Sequence, residues 1–160
     1  MNREARATIE SSIKENDSHR QKIERVVTLL EDLFPTDVEH FKEFSEEQIE
    51  HVDQLIYRFS KMQDSLGMRL IPAIYSWLEE DAKPKPFIDV LNRLEKLSVI
   101  DSVEKWQYFR NLRNNLAHDY PESIAQTVET LNLLHKEIND FLNIYKQLKQ
   151  TWLNRTDEKE

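Results

Sequence analysis

Cysteine is missing from the chain altogether. That excludes a disulfide framework, a thiolate metal site and a cysteine nucleophile. Glycine is almost as scarce, with Gly67 the single instance among 160 residues, against an average usage of about 7%. Tight β-turns and loops that wrap a phosphate with backbone N–H groups are hard to build without glycine, so an all-helical domain is the natural reading. No apolar stretch approaches the roughly 20 residues of a membrane span, and the first residues hold no apolar signal core. The expectation is a soluble, cytoplasmic protein with no membrane partner. Basic charge is in deficit, 22 Lys and Arg against 30 Asp and Glu, for a net charge of −8. Non-specific coating of nucleic acid rests on neutralising phosphates. Any RNA contact must therefore use a local basic patch, no DNA partner is expected, and the acidic balance suits a basic protein partner.

The length suits one domain over residues 1–160, large enough to bury a core without staples. Apolar residues at steps of three and four mark its helices. Ile9, Ile13, Ile23, Val27, Leu30 and Phe34 place a first helix from about Arg3 to Phe34, closed by Pro35. Its polar early part, through Glu15-Asn16-Asp17-Ser18, is expected to lie outside a core of about residues 20–153. Ser45-x-x-Gln48 has the form of a capping box. It opens a stripe of Ile49, Val52, Ile56, Phe59, Leu66, Leu70, Ile74 and Trp77, which Gly67 and Pro72 are expected to kink or break. Asp81 to Pro86, with two prolines, is a linker. Pro86 starts a short helix to about Leu97, and Ser102 starts another. A long helix from about Glu122 to Leu153 carries Ile124, Val128, Leu131, Ile138, Leu142, Tyr145 and Trp152. An antiparallel bundle of four or five helices follows, with a charged tail from Asn154 to Glu160.

The chemistry is concentrated from Trp106 to Tyr120, which holds two arginines, three asparagines, a histidine and a tyrosine just before Pro121. On a wheel with Arg113 at zero, Trp106 falls at about 20°, Ala117 at about 40°, Phe109 at about −40° and Leu116 at about −60°. Arg113 thus sits within the apolar arc. A guanidinium keeps its proton, so a half-buried one needs an acceptor-rich partner. His118 lies about 140° away. Bringing it to the same point requires the helix to end near Asp119 and Pro121, or a second copy of the chain.

Arg113-Asn114-x-x-x-His118-x-Tyr120 resembles the Arg-polar-x-x-x-His-x-Tyr motif of the HEPN-domain family. It is most similar to the HepT-like toxins of HEPN/MNT (minimal nucleotidyltransferase) toxin–antitoxin pairs. Arg58 to Gly67 resembles an upstream helix of that group. The resemblance implies a dimeric, all-α HEPN-like bundle in which two motifs face each other across the dimer axis, acting as a metal-independent endoribonuclease with no cofactor. Arg113 and His118 are then the catalytic pair and Asn114 orients them. Tyr120 is the residue to which a cognate nucleotidyltransferase antitoxin attaches AMP. The residue types suit that chemistry. An imidazole with a pKa near about 6.5 can take the 2′ proton of RNA, and a guanidinium can hold the phosphate through two parallel hydrogen bonds.

Blander roles stand beside these. An arginine near a helix end is most often salt-bridged, with Asp119 an available partner, and a tyrosine before proline is often simple packing. Arg110 and Lys61 are candidate RNA or phosphate contacts; surface placement is the alternative for Arg110, while Lys61 and Asp64 either reach the cleft or form an intrahelical pair. His19, His40 and His51 are expected to be solvated and His135 to be an interior or interface histidine. The alternative function is a non-catalytic nucleotide- or substrate-binding subunit of a small nucleotidyltransferase, and a further one is a helical adaptor.

Overall fold

A computed structural model of the protein describes residues 3–79, 83–117 and 123–159, with 157–159 described by backbone alone. All its regular elements are helical. Helix α1 (Arg3–Leu30) runs into a 3-10 turn (Glu31–Leu33), followed by α2 (Val38–Lys42) and α3 (Glu46–Ser65). A π-helical segment (Leu66–Leu70) joins α3 to α4 (Ile71–Leu78), and α5 (Phe87–Lys96), α6 (Val103–Leu116) and α7 (Ile124–Lys159) follow. No strand occurs among the described residues, and no helix there is long and apolar enough to cross a membrane.

The helix starts follow the local chemistry. The Ser45 hydroxyl accepts from Gln48 N–H at 3.1 Å while the Gln48 side chain accepts from Ser45 N–H at 2.8 Å, a complete capping box. Ser102 caps α6 by accepting from Lys105 N–H at 3.1 Å. Asp37 caps α2, a helix the sequence reading did not anticipate, by accepting from His40 N–H at 2.8 Å. Helix α5 ends in a Schellman arrangement: Val99 N–H donates to the Leu94 carbonyl at 2.9 Å and Ser98 N–H to that of Glu95 at 3.0 Å. The left-handed residue of that motif, normally glycine, is here Ser98 at φ 59°.

The expected interruption at Gly67 and Pro72 takes the form of a widened turn. Pro72 has no N–H to donate, and Ile71 N–H reaches five residues back to the Leu66 carbonyl. The chain runs through it into α4 without leaving the core: Met62, Leu66, Leu70 and Ile74 are all fully buried.

Helix α1 packs along α3, the π segment and α4, and α6 packs on both α3 and α7. Phe59 of α3 meets Phe141 of α7 at 4.8 Å between ring centroids and Phe109 of α6 at 6.5 Å, so three helices share one aromatic cluster. Trp77 and Trp152 join α4 to α7 at 4.7 Å. The polar start of α1, expected outside the core, is part of it. Ile9 is fully buried, and so are Ser12 and Asn16, because Asn16 Nδ2 donates to Ser65 Oγ at 3.0 Å and to the Ser12 carbonyl at 2.8 Å. Buried polar groups are tolerated where they find such partners.

Further along α1, Asp17 accepts from the Tyr145 hydroxyl at 2.6 Å and from Lys149 Nζ at 3.0 Å, which fastens α7. Burial opposes the Asp17 charge, but the bonds from Tyr145 and Lys149 and the Lys149 and Arg20 charges hold its carboxyl below the ordinary value. Tyr145 is pushed up, first by its own burial and then by Asp17. The Tyr108 hydroxyl on α6 donates to Glu137 on α7, and its pKa is pushed up to about 12 by burial and that carboxylate.

Candidate functional site

Helix α6 buries Trp106, Phe109, Leu112 and Leu116, a spacing of three and four that turns one face inward. That leaves Arg110 and Asn114 exposed and Arg113 at the boundary, its side chain 31% exposed. The wheel places Arg113 the same way. Its partner comes from α3: Arg113 Nη2 donates to Asp64 Oδ2 at 2.9 Å. The other half of the guanidinium edge is unmet, because Arg113 Nε is buried with no acceptor among the described residues.

Between these two helices lies an open pocket of about 410 Å³. Gln63 and Asp64 of α3, and Gly67 and Met68 of the π segment, line one wall. Trp106, Arg110, Arg113 and Asn114 of α6 line the other, and Phe87 of α5 closes one side. The chain's single glycine has a clear reason to be here. A β-carbon on Gly67 would stand 3.1 Å from Trp106 Cζ2, closer than a well-packed carbon contact. A glycine within a helix costs up to about 1 kcal/mol relative to alanine, and here that cost lets the indole lie against the backbone. Trp106 is only 2% exposed, and its Nε1–H has no acceptor among the described residues. A buried donor left unpaired costs about 1–3 kcal/mol.

Arg113, Asn114 and Arg110 are therefore together on one pocket wall, with Asp64 opposite. Lys61 is elsewhere. It is exposed on α3, its Nζ 5.7 Å from the Tyr57 ring, and it does not line the pocket. Asp64 pairs with Arg113 rather than within its own helix. His118 and Tyr120 lie outside the described residues, as do Asp119, weighed as the partner of Arg113, and Pro121. Asp64 reaches this pocket, as one of its two sequence alternatives has it, whereas Gln63 and Phe87 line it without having been singled out by the sequence.

The other described histidines do not line this pocket. His19, expected to be solvated, is buried at 7% exposure, with Arg58 Nη1 3.2 Å from its Nδ1 and Glu15 3.5 Å from its Nε2. His51 is partly buried on α3. His40 is exposed and its pKa is raised by the Asp37 carboxylate, 2.7 Å away. His135 stacks on Phe34 with ring centroids 5.2 Å apart, a half-buried interior placement.

Comparison with protein-family models, curated proteins and solved structures finds no match for this chain.

Proposed function

We propose that the protein is a HEPN-like endoribonuclease, the toxin of a toxin–antitoxin pair. It acts as a cytoplasmic homodimer and is neutralised by a cognate nucleotidyltransferase. One observation carries the reading: the first residue of the Arg113-Asn114-x-x-x-His118-x-Tyr120 pattern stands partly exposed in a pocket beside a second arginine, Arg110. In a chain of net charge −8, such a local pair of guanidiniums is the kind of patch on which an RNA phosphate can be held.

In this reading the His118 imidazole takes the proton of the RNA 2′-hydroxyl. The 2′ oxygen forms a bond to phosphorus, and Arg113 stabilises the charge that builds on the phosphoryl oxygens. The bond from phosphorus to the 5′ oxygen breaks, and that oxygen takes a proton from an imidazolium supplied by the second copy of the motif. The products are a 2′,3′-cyclic phosphate and a 5′-hydroxyl. General acid–base help of this kind is worth about 10²–10⁴-fold. AMP attached to Tyr120 by the partner would add negative charge and bulk two residues from His118, where the strand has to lie.

The test is growth after induced expression, parent against His118→Ala, with and without the neighbouring reading frame. It is paired with end-group analysis of RNA exposed to the purified chain. Growth arrest by the parent alone, with cyclic-phosphate ends, supports the reading. Equal growth of all strains and intact RNA, in a parent that still binds its neighbour's product, replaces it with the binding-subunit role.

A further inference from the structure

We infer that the pocket between α3, α5 and α6 is a subsite for one nucleotide unit, with phosphate at the Arg110–Arg113 end and base against Phe87, Met68 and Trp106. The inference rests on the ribonuclease reading for its place in the reaction, where it would hold the nucleotide beside the scissile phosphate. The pocket's own chemistry argues for it separately.

Size is the first consideration. About 410 Å³ lies within the range of small-molecule sites and admits one base with its sugar. The walls are of two kinds. Phe87 is partly exposed, Met68 is 79% exposed, and Trp106 forms the buried part behind them, its indole 6.2 Å from the Phe87 ring. Aromatic and thioether surfaces of this sort accept the flat face of any base. The rest of the lining is hydrogen-bonding: two guanidiniums, the Gln63 and Asn114 amides and the Asp64 carboxylate.

The polar groups narrow the ligand further. Trp106 Nε1–H and Arg113 Nε–H belong to residues lining the same pocket, and both are buried without an acceptor among the described residues. Both atoms are closed off from the pocket, so the donors that favour a ligand rich in acceptor oxygens are the exposed ones of Arg110 and Asn114 and the exposed part of the Arg113 guanidinium. Inorganic phosphate would satisfy the arginine end and leave the aromatic wall empty. An acyl chain would cover the aromatic wall and leave the donors unmet. A nucleotide answers both, and Gln63 and Asn114 can each donate and accept at a base edge or a ribose hydroxyl.

Asp64 fits this arrangement as an internal stand-in. Its carboxylate holds the Arg113 guanidinium at 2.9 Å in the present structure. An arriving phosphate offers the same planar fork a second acceptor geometry, so the ion pair is exchanged rather than simply lost.

The test is calorimetric titration of the full chain with AMP, inorganic phosphate and a 2′-deoxy trinucleotide. None of these ligands can be cut by attack of a 2′ oxygen, so binding is read independently of cleavage. Because Met68 is 79% exposed, Met68→Glu is expected to fold as the parent does, with an unchanged urea midpoint as the check, while placing a negative charge in the base site. The expected result is trinucleotide binding by the parent, weakened at least about tenfold, or about 1.4 kcal/mol, in both Met68→Glu and Arg110→Ala. Absence of binding by the parent, or equal binding by parent and Met68→Glu, overturns the subsite. Phosphate bound as tightly as AMP overturns the base site. A parent that cleaves RNA with unchanged products, yet fails these titrations, loses the subsite and keeps the ribonuclease reading. One that binds through the pocket but cleaves nothing does the reverse.

Discussion

The Arg113 guanidinium and the Asp64 carboxylate meet at 2.9 Å across 49 positions of sequence, tying the α6 wall of the pocket to its α3 wall. Both side chains are partly exposed, 31% and 42%, so solvent screening leaves the pair less than about 1 kcal/mol of stability. Arg113→Ala is expected to unfold in urea within about 1 kcal/mol of the parent while losing RNA cleavage and nucleotide binding. Asp64→Asn removes the internal competitor and is expected to tighten nucleotide binding several-fold. Weaker binding in that variant would mean that Asp64 touches the ligand itself.

Gly67 offers a test of the close approach to Trp106. In an exposed helix, alanine in place of glycine stabilises by about 1 kcal/mol. Here the new methyl would sit 3.1 Å from an indole that is itself 2% exposed and hemmed in. Gly67→Ala is therefore expected to bring no gain in the urea midpoint, and Gly67→Val a loss of about 1–3 kcal/mol from overpacking. A full gain for alanine would show that Trp106 shifts without cost.

Ser98 makes the opposite case. It occupies a left-handed position, φ 59°, in the turn that ends α5, where a side chain is disfavoured by about 1 kcal/mol or more. Ser98→Gly is expected to raise stability by about 0.5–1 kcal/mol, part of the relief being offset by a more flexible unfolded chain. Thermal unfolding of the two proteins side by side decides it.

His19 gives the chain a pH dependence with a definite sign. Burial lowers its pKa below the ordinary 6.5, Glu15 opposes the shift, and the Arg58 and Lys22 charges add to it. Just below pH 6.5 the unfolded chain binds a proton that the folded chain resists, so stability falls as pH drops through that range. His40 acts in the other direction, since Asp37 raises its pKa and its contribution is lost as pH rises. The loss in urea midpoint between about pH 7.5 and 5.5 is expected to be smaller in His19→Gln than in the parent. An unchanged loss would assign the acid sensitivity to other groups.

Much of the fold was legible because its signals are local. Ser45 with Gln48, Ser102, Pro86 and the apolar steps of α6 and α7 each act within a few residues, and each marks an element that is present. Most of what escaped was long-range, the Asp37 cap on His40 N–H being a local signal that was passed over. Asp37 opens a short helix inside what reads as loop. Ser12, Asn16 and His19 look solvated in sequence because polarity is all the sequence displays. Their burial depends on Ser65 and Arg58, each at least 39 positions away. The candidate site divides the same way. The helical spacing placed Arg113 at the apolar boundary beside Arg110 and Asn114, with Trp106 two turns away on the same face, whereas Asp64, its partner, is joined to it only by tertiary packing.

The widened turn at Leu66–Leu70 fixes the length of this part of the chain. Met62, Leu66, Leu70 and Ile74 are spaced four apart and all fully buried, yet three steps of four on a regular α-helix drift by about 120° around the axis. One residue absorbed in a π turn returns about 100° of that drift, which keeps Ile74 facing inward. The same turn carries Gly67 and Met68 into the pocket wall. The pocket and the register of α4 are therefore set by one spare residue, and an insertion or deletion there would rotate α4 out of the core.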